Sequence, residues 1–140
     1  VEALKEAVAD GTVDAIVSDH LPQTSLEKEL EYGLSSFGAA TLETTLAQTL
    51  GLWRADLISL ERAVSLLSCG PAKLLGLACG TLADGAAADV IVVDPDATWT
   101  VAGADFASKS PYTPLEGQQL RGRVEATLVA GELVFQRDAG

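Results

Sequence analysis

A chain of 140 residues, 48% hydrophobic and 21% charged, is long enough to bury one core and too apolar to be disordered. Its 9 basic and 20 acidic residues leave a net charge of -11, which repels phosphate backbones; no basic stripe offsets it, so no nucleic-acid partner is expected. No apolar run approaches the roughly 20 residues that span a bilayer, and no basic segment leads into an apolar one at the start, so a cytoplasmic protein without membrane contact is expected.

The chain opens on V-E-A-L-K-E-A-V, which reads as a helix already under way. Val1, Leu4 and Val8 fall on one face, and Gly11 follows Asp10 as a helix stop. There is no methionine anywhere, and together with this opening that suggests a piece of a longer protein. Residues 13–19, V-D-A-I-V-S-D, are too short for a typical helix and suit a strand buried on both faces. Pro22 cannot donate to a ladder, so the strand should stop near Asp19 and deliver Asp19 and His20 to its end. Ionisable pairs at the ends of buried strands are where α/β enzymes keep their chemistry. The plainer alternative is an Asp capping a turn beside a satisfied histidine.

Residues 24–36 are polar and read as a surface excursion or a loop over a site. From Thr41, Leu42, Leu46 and Leu50 recur at helical spacing. A second helix is signposted by Ser59 as N-cap, with Glu61 in the favourable first turn and Leu60, Ala63, Val64 and Leu67 apolar. Gly70-Pro71 should end it, leaving Ala72 to Leu77 as a further short helix.

After Gly80 the periodicity changes. A-D-V-I-V-V-D-P reads as a strand halted by Pro95, with W-T-V at 99–101 a short partner. Residues 123–136 read as two strands joined at Gly131-Glu132, the first alternating Val124, Ala126 and Leu128 with Glu125 and Thr127. Cys69 and Cys79 are too few for a disulfide framework or a four-ligand zinc site, and are expected to be small buried residues.

Four motifs in this order carry a resemblance: S-D-H-L-P-Q, S-F-G-A-A-T-L-E-T, L-S-C-G-P-A-K-L-L-G-L and G-T-L-A-D-G-A-A-A-D-V-I-V-V-D-P, continued by S-K-S-P-Y-T-P-L-E-G and L-R-G-R-V-E-A-T-L-V-A-G-E-L-V-F. The set resembles the C-terminal part of bacterial-type dihydroorotases, within the amidohydrolase superfamily. The tail motifs are shared across cyclic amidohydrolases; the D-H-x-P and F-G-x-x-x-L-E-T pair points more narrowly to dihydroorotase. The fold so implied is α/β: the C-terminal part of a (β/α)8 TIM-type metallo-hydrolase barrel over residues 1–78, with 13–19 as its last strand, and part of a small β-sandwich over residues 79–140.

The same resemblance implies reversible hydrolysis of dihydroorotate to N-carbamoyl-L-aspartate in pyrimidine biosynthesis. It assigns Asp19 as a zinc ligand and general acid/base, and Phe37, Gly38 and the position of Gln23 as substrate-binding. A carboxylate suits that double task, because one oxygen can ligate a metal while the other moves a proton. The family pattern is usually D-H-x-P-H, and Gln23 stands where the second His would hold the substrate carboxylate. A glutamine amide donates hydrogen bonds without positive charge, which would weaken such a contact by on the order of 1 to 3 kcal/mol. The remaining ligands for one or two zinc ions, an H-x-H pair, a lysine-derived bridge and two further histidines, would lie upstream, since His20 is the single histidine here. These 140 residues alone are therefore expected to be inactive. Two other readings compete: a non-catalytic partner of aspartate carbamoyltransferase, and a sibling cyclic amidohydrolase such as an allantoinase or hydantoinase. A homo-oligomer is also compatible with the resemblance.

Overall fold

The computed structural model describes residues 1–138. Five helices precede a β unit: α1 (Glu2–Ala9), α2 (Ser25–Lys28), α3 (Leu42–Arg54), α4 (Leu60–Leu67) and α5 (Cys69–Leu74), then β1 (Val90–Thr100), β2 (Gln119–Val129) and β3 (Glu132–Gln136). The strands form one antiparallel sheet in the order β1-β2-β3.

α1 ends as expected, with Asp10 at its C-cap and Gly11 in the left-handed region at φ +91°. Of its predicted apolar face only Val8 packs inward; Val1 and Leu4 are exposed. Val8 joins Val13, Ile16, Leu52 and Trp53 around the buried trio Ile58, Ala63 and Leu66. Ser59 caps α4 as predicted, its hydroxyl accepting from the Arg62 N–H at 3.1 Å. Glu61 is held below the usual carboxylate range by its own backbone N–H and by the Ser59 hydroxyl. Replacing Ser59 by alanine is expected to lower the free energy of unfolding by about 1 kcal/mol, read as a shifted urea midpoint. An unmoved midpoint would show that the cap contributes nothing.

Several expectations need correction. Residues 13–19 form no strand among the described residues. A strand exists only through its ladder, and here backbone groups are met singly: the Ile16 N–H donates to Leu66 O at 2.9 Å, and Val13 N–H to Ala7 O at 3.0 Å. Val17, expected to be buried, is 77% exposed. Gly70-Pro71 does not end a helix; α4 stops at Leu67, and Gly70 and Pro71 lie in the first turn of α5. Proline is tolerated there because first-turn N–H groups have no intrahelical acceptor. Cys69 and Cys79 are exposed thiols rather than buried ones.

Pro95 does not halt β1. The strand runs from Val90 to Thr100, so 90–94 and 99–100 belong to one strand rather than being partners, and Val101 lies just past its end. The ladder to β2 is irregular between Asp94 and Thr98, where the Asp94 carboxylate accepts the N–H groups of Asp96 and Ala97 at 2.8 and 3.1 Å. A proline on an edge strand at such an irregularity removes no ladder bond. β2 begins at Gln119, earlier than expected, and turns into β3 through Ala130 and Gly131, both at positive φ. Its predicted alternation is blurred, since residues 123–128 are all half-buried. The described residues thus supply one sheet, with no second sheet facing it.

α3 joins the two parts of the molecule. Leu50 is buried against Gly122, where an added Cβ would come within 2.6 Å of the Leu50 Cδ1. At the helix end the Arg54 guanidinium donates to Arg121 O at 3.0 Å and also to Pro95 O. The buried hydroxyls of Thr44 and Thr49 donate at 2.9 Å to Thr41 O and Thr45 O, so both are paired within the helix.

Candidate active site

Asp19 stands at φ +47°, in the left-handed region that aspartate tolerates better than most residues but that still costs on the order of 1 kcal/mol. The conformation is held from both sides. On one side the Thr41 hydroxyl donates to the Ser18 carbonyl at 2.7 Å. On the other, His20 Nδ1 accepts the N–H groups of Thr41 and Leu42 at 3.1 and 3.2 Å. His20 is therefore the cap of α3: Thr41 occupies the N-cap position without capping through its own side chain. Because Nδ1 accepts two amides, the ring proton sits on Nε2.

The segment after His20 runs beside residues 36–40. The Leu21 N–H donates to Ala39 O at 3.1 Å, and Gln23 Nε2 donates to Phe37 O at 3.0 Å. Gly38, at φ +116°, makes that approach feasible, since a Cβ there would lie 2.4 Å from Leu21 O. The expected site residues Asp19, Gln23, Phe37 and Gly38 are thus gathered into one neighbourhood. The carbonyls of Phe37 and Gly38 are already engaged, by Gln23 and by Lys28 respectively.

Residues 24–36, expected as a polar excursion, contain the single turn α2. Its start signal was legible as T-x-x-E: the Thr24 N–H and hydroxyl both donate to Glu27, which holds that carboxyl below its ordinary value. Lys28 folds back, donating to Ser36 O at 2.9 Å and Gly38 O at 3.1 Å. The excursion is tied to the loop before β2 through Tyr112, whose hydroxyl donates to Glu29 while its carbonyl accepts the Ala40 N–H at 2.8 Å. That bond to Glu29 raises the phenol above its ordinary value, with desolvation and the carboxylate charge adding less.

An open recess of about 650 Å³ results, lined by Ser18, Asp19, Lys28, Phe37, Gly38 and Thr41 among others. The Asp19 carboxylate is exposed on it and makes no hydrogen bond with the described residues, so it is free to meet a ligand. Lys28 brings positive charge to the same wall, which suits an anionic or carbonyl-bearing ligand. Among the described residues no group of three His, Cys, Asp or Glu side chains converges to hold a metal. Asp19 supplies one carboxylate and His20 Nδ1 is spent on α3, so these residues do not make a metal site by themselves.

The amidohydrolase family model matches residues 1–134. A dihydroorotase of Anaeromyxobacter dehalogenans is 46% identical over 138 residues, covering 99% of this chain and 32% of its own length. One from Citrifermentans bemidjiense is 44% identical over 136 residues, 97% of this chain and 32% of its own length. The chain therefore spans about a third of these relatives, and it matches their C-terminal part. Among solved structures, the dihydropyrimidinase of Brevibacillus agri superposes with a TM-score of 0.89 at 30% identity over 96% of this chain and 31% of that one. The L-hydantoinase of Arthrobacter aurescens gives 0.87 at 32% identity over 95% of this chain and 31% of that one.

Proposed function

The chain belongs to the amidohydrolase family, and we propose that it is the C-terminal portion of a dihydroorotase that reversibly hydrolyses dihydroorotate to N-carbamoyl-L-aspartate. The observation that carries this reading is the shared recess: Asp19 and the Phe37-Gly38 segment, from different loops, both line it in a chain 46% identical to a dihydroorotase. In the proposed arrangement residues 1–78 complete a TIM-type barrel and residues 79–140 a β-sandwich. The many exposed large apolar side chains, Val17, Leu21, Leu26 and Phe37 among them, support packing against further chain of the length its relatives have.

The chemistry assigned to this chain is proton transfer. The Asp19 carboxylate takes a proton from the water that attacks the ring amide, and returns it to the ring nitrogen as the C–N bond breaks. Its exposure and its lack of hydrogen bonds with the described residues leave both oxygens available for this. Gln23 is tied to the recess through its amide nitrogen, held on Phe37 O, and its carbonyl oxygen would be a further polar contact for substrate. Zinc belongs to the proposal as the cofactor of the complete enzyme, to which this chain would contribute only the Asp19 carboxylate.

The likeness in fold to a dihydropyrimidinase and a hydantoinase favours one competing reading, a sibling cyclic amidohydrolase. The test is a substrate panel on the full-length protein with dihydroorotate, allantoin and hydantoin. A kcat/KM for dihydroorotate at least about a hundredfold above the others, some 2.7 kcal/mol of discrimination, is expected. Preference for hydantoin or allantoin would move the protein to that sibling class, and no turnover of any would remove the enzymatic reading.

A further inference from the structure

We propose that Thr41 is the positioning residue for Asp19, a two-point clamp that fixes where the carboxylate sits in the recess; this rests on reading Asp19 as the acid/base. Among the described residues nothing but its own backbone aims the Asp19 carboxylate, and that backbone lies at φ +47°. That conformation is defined by the residues on either side, and Thr41 grips both. Its hydroxyl holds the Ser18 carbonyl at 2.7 Å, and its N–H holds the His20 ring at 3.1 Å, with the Leu42 N–H as second donor at 3.2 Å.

The clamp is itself immobilised. Thr41 begins α3, whose buried face includes Ala47 and Leu50 and whose far end is bonded to the sheet through Arg54. Thr41 O accepts the hydroxyls of Thr44 and Thr45 at 2.9 Å each, which fixes the first turn. A Thr hydroxyl at an N-cap ordinarily accepts a helix N–H. Here it is turned away to hold Ser18 while His20 does the capping, a division of labour that helix stability alone does not require.

The test uses the full-length protein, assayed with whichever of dihydroorotate, allantoin and hydantoin it turns over. Thr41→Val removes the hydroxyl and keeps shape and backbone N–H; Thr41→Ser keeps the hydroxyl. Thr41→Val is expected to lose about tenfold or more in kcat with KM changed by less than about threefold, because misplacing a reacting group affects the chemical step more than binding. Thr41→Ser should return kcat to within about twofold of wild type. If Thr41→Val does not fold, Thr41→Ala is read in the same way. Wild-type kcat in either hydroxyl-free variant, with Asp19→Asn inactive, overturns the clamp and leaves Asp19 in its role. A kcat loss matched by an equal loss of folded protein makes Thr41 a packing residue and also overturns it. An active Asp19→Asn removes the reading of Asp19 on which the clamp depends.

Discussion

Asp19→Asn in the full-length protein is expected to fold normally and to lose about a thousandfold or more in turnover of dihydroorotate. Asparagine matches aspartate in size and enters the left-handed region as readily, so φ +47° adds no backbone penalty. The Asp19 side chain makes no hydrogen bond with the described residues, so its replacement orphans no partner among them. What disappears is the carboxylate proposed to take and return the proton. Steady-state kinetics beside a thermal melt separate the two effects: an unchanged melt with collapsed kcat supports the assignment, and wild-type turnover would sink it.

Gly38→Ala should be the most damaging of the small substitutions near the site. The residue stands at φ +116°, outside the range an L side chain adopts easily, and the new Cβ would lie 2.4 Å from Leu21 O and 3.0 Å from the Leu21 Cβ. Neither neighbour is the free end of a flexible side chain, so the backbone must move. The bonds that would open are Leu21 N–H to Ala39 O and Lys28 Nζ to Gly38 O, which together join the Asp19 segment to the opposite wall. We expect a destabilisation of about 2 to 4 kcal/mol from strain and overpacking, and a fall in kcat/KM of more than about tenfold. Gly33 on the same excursion has no positive φ and open space around it, so Gly33→Ala is the control and should be nearly neutral. Denaturant titration and kinetics on the pair check this; equal behaviour of the two variants would show that the close approach at Leu21 does not matter.

Local chemistry was readable wherever the deciding partner lies within a few residues. The Ser59 cap, the end of α1 at Gly11 and the turn between β2 and β3 all belong to this kind. Residues 13–19, expected as a strand, form none among the described residues: an apolar β-branched run states a preference, while a strand needs a neighbouring ladder that those residues do not offer. Pro95 and Pro71 were misread for a related reason. Whether a proline breaks an element depends on whether its missing N–H was needed, and that is set by an edge or a first turn rather than by the residue. At the candidate site, Asp19, Gln23, Phe37 and Gly38 were singled out through motifs, and the structure places them near one another. Lys28, Thr41 and Tyr112 were missed, because each acts through a contact that only the folded chain creates. The one local trace nearby was the T-x-x-E from Thr24, which marks the start of α2 and not the contacts of Lys28.

The borrowed cap on α3 bears on how the molecule acquires its shape. A helix whose first amides are met by a neighbouring side chain can start by itself, whereas here the acceptor is His20, far upstream in the chain. Until the 18–20 segment docks, those amides face water and the first turn frays; until that turn is straight, nothing holds Asp19 in its unusual conformation. Each half is thus the template for the other. Helix start and candidate site are therefore coupled, because each gains these hydrogen bonds only when the loop between them has closed.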